Sequence, residues 1–523
     1  MRKVILLFCL AISASAFAQD LKAVRGSCTP APENGGGVAE ARAGMTRRLP
    51  TIISQWDASR VYRQLVILVA FKGDDTNFAM ENPKETYDQM LNGKGYNQRQ
   101  GKGCMAEYFR DQSNGMLNLQ FDVYGPYQVS QKAQPYANPD GNTTNYGRDA
   151  LVEATNLFLA ENPDIDFSQY DWNNNGHVNQ VVYITAGYAG NAGSPTVYGY
   201  IWPNTSTFTT ITTPDGKKIS NYTCSGELWP NNTSCGIGTI CHEFTHSLGL
   251  PDIYPTSSSA GYSVCDEWDL MDGGNFTNYG WCPPNYTALE KMLLGWAKPV
   301  ELTEPTSIKN LKPLEEGGDF YRIKHSESEW LLLENRQQRG WDAGAPGQGL
   351  VIYHVNYDGS VWRGNTVNNN KGKFRFELVH ADNMSYDDWD DWVMEHTTYR
   401  NSGHMNNYHL STSPYPWTNE SSVVNNLLTD NSVPAATMYY NNEMGEIRLS
   451  KPITNITMSD DGLVSFDFMG GSSEPTVAEG IKEVVVKGSE QRFDFSGRRL
   501  QGHPRANMYI VREADGSVKK VVK

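Results

Sequence analysis

After its first eighteen residues the chain has no apolar run approaching the roughly twenty residues that a membrane-spanning helix needs, so no later segment is expected to cross a bilayer. Positive charge is also in short supply. The 44 Lys and Arg face 59 Asp and Glu, a net charge of −15. Phosphate backbones are held by basic surfaces, so nucleic acid is not an expected partner. Cysteine is sparse and unevenly spread: there are eight in 523 residues, and none after Cys282. One of them, Cys9, falls in the first eighteen residues, Cys28 stands alone, and the other six lie from Cys104 to Cys282. Disulfides are therefore expected only in the first half of the chain. An odd count of seven leaves one thiol over.

The first residues, MRKVILLFCLAISASAFAQD, explain the apolar exception. Arg2 and Lys3 precede a short apolar stretch, and Ala16-Phe17-Ala18 is a small-residue cleavage site. This pattern predicts a secretory signal peptide over 1–18. The mature protein is expected to be secreted or held on the outer surface, in a compartment that permits disulfides. Residues 19–55 are rich in Gly, Ala, Pro and Arg and read as a pro-segment or flexible tail. From 56 to 300, strand-like runs (QLVILVAF, MLNLQFDVYGPY, HVNQVVYITAG) alternate with helical ones (MAEYFRDQ, RDALVEATNLFLAEN and a proline-led PPNYTALEKMLLGW). Between 301 and 470, short apolar or alternating runs dominate: FYRIKH, EWLLLENRQ, GLVIYHVNY, FRFELVHA, GEIRLS and GLVSFDF. They predict a β-sandwich-like domain. Residues 471–480 read as a linker. The 481–523 segment reads as a small β module with ten Lys and Arg against five Asp and Glu, basic where the rest is acidic.

One run carries the chemistry: CHEFTHSLGLPDIY, residues 241–254. On a helix, residues four apart share a face, so His242 and His246 can present two imidazoles to one point. Zn²⁺ takes neutral imidazole nitrogens at about 2.0–2.1 Å and favours four ligands. Glu243 lies next to that point without being a ligand, placed to take a proton from an attacking water. Gly249 falls where the helix should stop and can turn left-handed, and Pro251 discourages continuation. Asp252 then arrives as a third ligand. Glu267, further on, is the rival for that position, as in a thermolysin-type site.

The motif HEFTHSLGLPDIY and the downstream run WDLMDGGNFTNYGWCPPNYTALEKMLLGW resemble secreted bacterial metallopeptidases of the immune-inhibitor-A type. QLVILVAF, YFRDQSNGMLNLQFDVYGPY, YDWNNNGHVNQVVYITAG, WLLLENRQ and GWDAGAPGQGLVIYHVNY continue the likeness in order, over about 60–470. The resemblance implies a metzincin-like domain, with zinc on His242, His246 and Asp252, a base at Glu243, and a methionine turn at Met271. Further candidates are weaker. YDWNNNGHVN resembles a calcium loop, with Asp171, Asn173 and Asn175 at alternate oxygen-ligand positions, although a plain Asn-rich turn has the same composition. Tyr279 or Tyr286 could steady an oxyanion, or either could be ordinary packing. Cys28 could occupy zinc before maturation and hold the chain latent, and His354, mid-strand, reads as a satisfied core histidine. The C-terminal QRFDFSGRRLQGHPRANMYIVREADGSVKKVVK resembles the sorting domain of type IX secretion cargo, whose machinery would then be a partner; a carbohydrate-binding or stabilising module is the alternative.

The expectation is thus an α+β protein: a metzincin-like peptidase domain, then a β-sandwich domain and a small C-terminal β module. It would act as a monomeric zinc endopeptidase on extracellular proteins and peptides, with Ca²⁺ as a second candidate ion. The rival from another class is a peptide- or glycan-binding protein built on a peptidase scaffold.

Overall fold

The computed structural model describes residues 52–73, 77–137, 147–191, 200–229, 231–257, 263–384 and 410–472, with the backbone of five short strands between 476 and 522. The expected signal peptide, most of the expected pro-segment and Cys28 lie outside these residues.

The first half is laid on β1 (Val61–Ala70), α1 (Pro83–Asn92), α2 (Met105–Gln112), β2 (Asn118–Gln128), α3 (Ala133–Ala137), α4 (Arg148–Glu161), β3 (Val181–Tyr188), β4 (Asn204–Thr212), β5 (Lys218–Leu228), α5 (Gly238–Ser247) and α6 (Ala288–Leu293). The strands form one sheet in the order β2-β1-β3-β5-β4. All neighbours are parallel except β4, which runs antiparallel to β5 at the edge. The near-continuous apolar run of β1 is explained by burial on both faces. Leu65, Ile67 and Val69 pack with Ala150, Leu151, Ala154 and Phe158 of α4. Val66 and Leu68 face the opposite way, among Tyr108 and Phe109 of α2 and Phe244 of α5. The proline-led helix expected at PPNYTALEKMLLGW begins later than that run suggests. Thr287 caps it in a reciprocal box with Glu290, so α6 starts at Ala288. Among the described residues no helix is long and apolar enough to cross a membrane.

The second half contributes β6 (Val300–Glu301), β7 (Thr306–Leu311), β8 (Tyr321–Lys324), β9 (Glu329–Arg336), β10 (Gly349–Asn356), α7 (Gly359–Arg363), β11 (Phe376–Leu378), β12 (Trp417–Thr418), β13 (Val424–Asn425), β14 (Ile453–Met458) and β15 (Val464–Phe468). GEIRLS, read as a strand, makes only an isolated bridge between Arg448 and Thr437. One sheet runs β11-β10-β9-β8-β6, and another places β15 between β14 and β7. The two sheets share an apolar cluster that includes Leu331, Leu333, Leu350 and Ile352 on one side and Ile308, Ile453, Val464 and Phe466 on the other. The chain is therefore a mixed α and β structure with several sheets, consistent with an α+β class. Near the C-terminus, the backbone of Gln491–Phe493, Arg499–Leu500, Met508–Arg512 and Val518–Val522 forms a separate antiparallel sheet.

β9 and β10 are buried along their whole length. Their second face, with Trp330, Leu332, Val351, Tyr353 and Val355, belongs to the same cluster as Phe244, Met271 and Tyr286. The apolar core thus passes without a break across position 300. A polar knot pins the junction. The fully buried Arg336 guanidinium meets Glu334 at 2.9 Å and Asp342 at 2.5 Å. Those carboxylates also accept backbone N–H groups from the first half, Ala288 to Glu334 at 2.7 Å and Asn285 to Asp342 at 2.9 Å. Removing one partner of such a set leaves uncompensated buried charge. Arg336→Met is expected to lower unfolding stability by about 3–5 kcal/mol, read from the urea midpoint.

His354 is held between two carboxylates, Nε2 to Glu329 at 2.8 Å and Nδ1 to Glu377 at 2.9 Å. Burial alone would lower its pKa, but the bonds to Glu329 and Glu377 outweigh that and raise it to about 9. The stabilisation from this clamp is complete below the ordinary histidine value of 6.5 and is lost as pH climbs through about 9. Thermal melting of the parent chain should therefore decline across that window more steeply than that of His354→Gln.

Candidate metal centre

α5 carries the motif. It is buried from Gly238 to His246, and its start is pressed against the 274–280 turn: a Cβ on Gly238 would lie 2.0 Å from the Asn275 carbonyl oxygen. His242 and His246 stand one turn apart, ring centroids 4.9 Å from each other with planes at 88°. The helix ends after Ser247, and Gly249 takes φ +101°, the left-handed side that glycine tolerates. The reversal brings Asp252 back beneath the two rings.

Each ring is oriented through the nitrogen that does not face Asp252. His242 Nδ1 lies 2.8 Å from the Leu270 carbonyl and His246 Nδ1 2.8 Å from the Leu250 carbonyl. A carbonyl only accepts, so each Nδ1 must carry the proton and each neutral ring turns a lone pair outward at Nε2. Those two nitrogens lie 3.1 and 3.0 Å from one oxygen of Asp252, Oδ1. Three electron-pair donors thus converge, within 4.8 Å of one another, and the arrangement calls for a cation. This is the one such group of His, Cys, Asp or Glu among the described residues. Proton affinities express the same demand. Burial would raise the Asp252 pKa, but the two histidines overcome it and hold the carboxyl well below its usual range. Burial would lower that of His242, but the bond to Asp252 and the charge of Glu243 raise it.

Glu243 lies beside this group and is almost fully buried. The Thr205 hydroxyl, from the start of edge strand β4, reaches both the backbone oxygen of Glu243 and its carboxylate, the latter at 3.2 Å. Met271 is fully buried in the core below. Its turn braces the site twice: Leu270 receives His242, and the Met271 carbonyl receives Ile253 N–H at 2.8 Å. The turn is held by Asp269, which accepts Met271 N–H at 2.6 Å, and by Asp272, which accepts the N–H groups of Cys265 and Asp266 at 3.0 and 2.9 Å. Glu267, the rival ligand, sits on the short turn Asp266–Trp268 and is not in the converging group.

The structure also places the other candidate residues. Tyr286 is fully buried between Tyr108 and Trp296, and its hydroxyl is taken by Thr245, which itself donates to the Cys241 carbonyl at 2.7 Å. It is packed as a core side chain. Tyr279 has φ +58° in the 274–280 turn and packs against the small cluster of Ala189, Trp229 and Cys235. The loop at Asp171 already has its cation. Lys217 Nζ lies 2.8 Å from Asp171 Oδ2, and the same carboxylate accepts Asn175 and Gly176 N–H at 2.9 and 2.8 Å. Asn173 is exposed, and the Asn175 side chain accepts His177 N–H at 3.0 Å. A calcium ion on Asp171 would face an ammonium group, so Asp171, Asn173 and Asn175 form a self-closed turn. The disulfide expectation also finds no pair among the described residues. Cys104, Cys224, Cys235, Cys241, Cys265 and Cys282 are all buried and none is joined to another described cysteine; several make other contacts. Cys104 Sγ caps α2 at 3.4 Å from Glu107 N, and Cys282 Sγ lies 3.4 Å from the Gly340 carbonyl.

Three features of the site escaped the sequence reading: Leu270, Thr205 and Asn365. The Asn365 carboxamide accepts Asp252 N–H at 2.7 Å and donates to Asp252 Oδ2 at 2.7 Å. Asn365 is 113 positions from Asp252 in the chain, and an asparagine in a loop rich in asparagine has no spacing signal to mark it.

Residues 70–293 match the immune inhibitor A peptidase M6 catalytic-domain family. The chain is 22% identical over 253 residues to a protein named Pre-pro-metalloprotease PrtV from Vibrio cholerae, covering 42% of this chain and 28% of that one. It is 26% identical over 326 residues to Immune inhibitor A from Bacillus thuringiensis subsp. alesti, covering 52% of this chain and 47% of the relative. The chain therefore spans less than half the length of the curated relatives it matches. The matched domain and these relatives, with a converging His-His-Asp group inside the matched span, support an immune-inhibitor-A-like metallopeptidase.

Proposed function

We propose that the chain is a secreted zinc endopeptidase that hydrolyses extracellular proteins or peptides through a water activated next to Glu243. The observation that carries this reading is the convergence of His242 Nε2, His246 Nε2 and Asp252 Oδ1 beside a buried carboxylate that is not one of the three. Two imidazoles and one carboxylate suit zinc, which keeps a fourth position open in catalytic sites. Zinc held there would act as a Lewis acid and lower the pKa of water towards about 7. Glu243 then accepts the proton of the attacking water and returns it to the leaving amine. Thr205 restrains the Glu243 carboxylate through this exchange. The same strand supports recognition of a polypeptide: among the described residues β4 ends the sheet, and an extended chain can add to a sheet edge through main-chain bonds.

In this reading the 56–300 region is a metzincin-like domain, with the Met271 turn supporting the metal site, and 301–470 is a β-sandwich. Residues 1–18 act as signal peptide and 19–55 as a pro-segment in which Cys28 is the candidate latch. Residues 471–480 link to a 481–523 module that engages type IX secretion machinery. The mature chain works as a monomer.

The test is a casein assay with zinc quantitation. Glu243→Gln should keep its zinc and lose about 100- to 10,000-fold in hydrolysis. Asp252→Ala should lose zinc, whereas Glu267→Ala should keep it. Full hydrolysis by Glu243→Gln, or by the parent chain stripped of metal with a chelator, would overturn the proposal.

A further inference from the structure

The Asp252 segment is gripped from far along the chain by a run of asparagines after α7. Asn365 pairs with Asp252 through both its oxygen and its nitrogen. Its own carbonyl accepts the Thr256 hydroxyl at 2.7 Å. Asn368, fully buried, donates to the Ile253 carbonyl at 2.9 Å and to that of Phe376 at 2.9 Å. Asn369 accepts Ser257 N–H at 3.0 Å and donates to the Thr256 hydroxyl at 3.1 Å. The run itself is anchored: Trp362 and Val367 are buried in the main core, and Asn368 accepts Arg375 N–H at 2.8 Å beside β11. Three asparagines thus hold Asp252, Ile253, Thr256 and Ser257 to the second-half sheet.

From this arrangement we infer that Asn365 is a positioning residue for the third metal ligand, and that the metal centre is completed by the half of the chain beyond the matched peptidase domain. The inference rests on the zinc peptidase reading of the site. Asp252 presents a backbone donor and a carboxylate acceptor side by side. A carboxamide is the short side chain that offers one acceptor and one donor together. With Oδ2 committed to Asn365, Asp252 turns Oδ1 alone towards the two imidazoles. Asn365 also has φ +53°, a conformation that asparagine adopts more readily than most residues. Aspartate has the same shape but would set a second carboxylate oxygen against Asp252 Oδ2. Alanine would leave both partners without a bond.

The experiment uses the full mature chain and zinc alone, titrated in competition with a chromophoric chelator. Outer partners of metal ligands typically set affinity by about 10–100-fold. Asn365→Ala and Asn365→Asp should each weaken zinc binding within that range, with one zinc still taken up at saturation. If the alanine variant does not fold, the isosteric aspartate variant carries the test. A folded variant that binds zinc within about threefold of the parent overturns the inference, even if its metal-free form melts at a lower temperature, because that result describes a merely structural contact. If the parent itself takes up no zinc, the peptidase reading fails and this inference with it. If the parent binds zinc and the Asn365 variants match it, only this inference fails.

Discussion

Two hydrogen bonds decide what the motif can do. A histidine pair four apart on a helix is only a pair of rings that rotate, flip and choose tautomers. Donation from His242 to the Leu270 carbonyl and from His246 to the Leu250 carbonyl removes those freedoms. It forces the proton onto Nδ1 and turns both remaining lone pairs to the same place. The two acceptors have different origins. Leu250 belongs to the helix exit and depends on the Gly249 reversal. Leu270 lies 28 residues after His242, on the Met271 turn. That turn is itself built on the buried carboxylates of Asp269 and Asp272, so the position of one imidazole depends on acids that never approach it.

The support for that turn does not come from the first half alone. Beneath it lie β9 and β10, which face two cores and expose neither side. Burying Glu334, Arg336 and Asp342 at such a junction is costly unless every charge is matched. Here two carboxylates share one guanidinium, each carboxylate also accepts a backbone N–H, from Ala288 or Asn285, and the guanidinium donates to the Trp268 carbonyl. The second half therefore acts as the floor of the candidate site, and through Asn365 it reaches the third ligand directly. A contact of this kind links fold to chemistry: the stability of the junction and the placement of Asp252 draw on the same packed surface.

Several readings that composition leaves open turn on contacts that composition does not show. Composition showed that Asp171, Asn173 and Asn175 could offer oxygens, but not that Lys217 already stood on Asp171. It allowed Tyr286 to be either an oxyanion group or ordinary packing, but did not show that its hydroxyl meets Thr245 in the core. An exported chain with seven cysteines suggested stapling, yet Cys104 serves as a helix cap and Cys282 binds backbone in a different wall of the core. Asp171 and Tyr286 are met by neighbours from distant segments, Lys217 and Thr245, whereas Cys104 finds its partner three residues on, at Glu107.

The amino-acid sequence by itself determined the local parts: a helix with His242 and His246 on one face, its end at Gly249, Asp252 soon after, and a β1 strand apolar enough to be buried on both sides. These arise from helical and strand periodicity and from glycine's access to positive φ, which act within a few residues. Only the tertiary structure decided which nitrogen each imidazole presents, which oxygen of Asp252 joins them, what restrains Glu243, and which second-half loop closes the group. Apart from the His246–Leu250 bond, which spans four residues, those choices are made by hydrogen bonds between residues 28 to 113 positions apart. Such bonds form only after the sheets have packed, and no spacing in the chain encodes them.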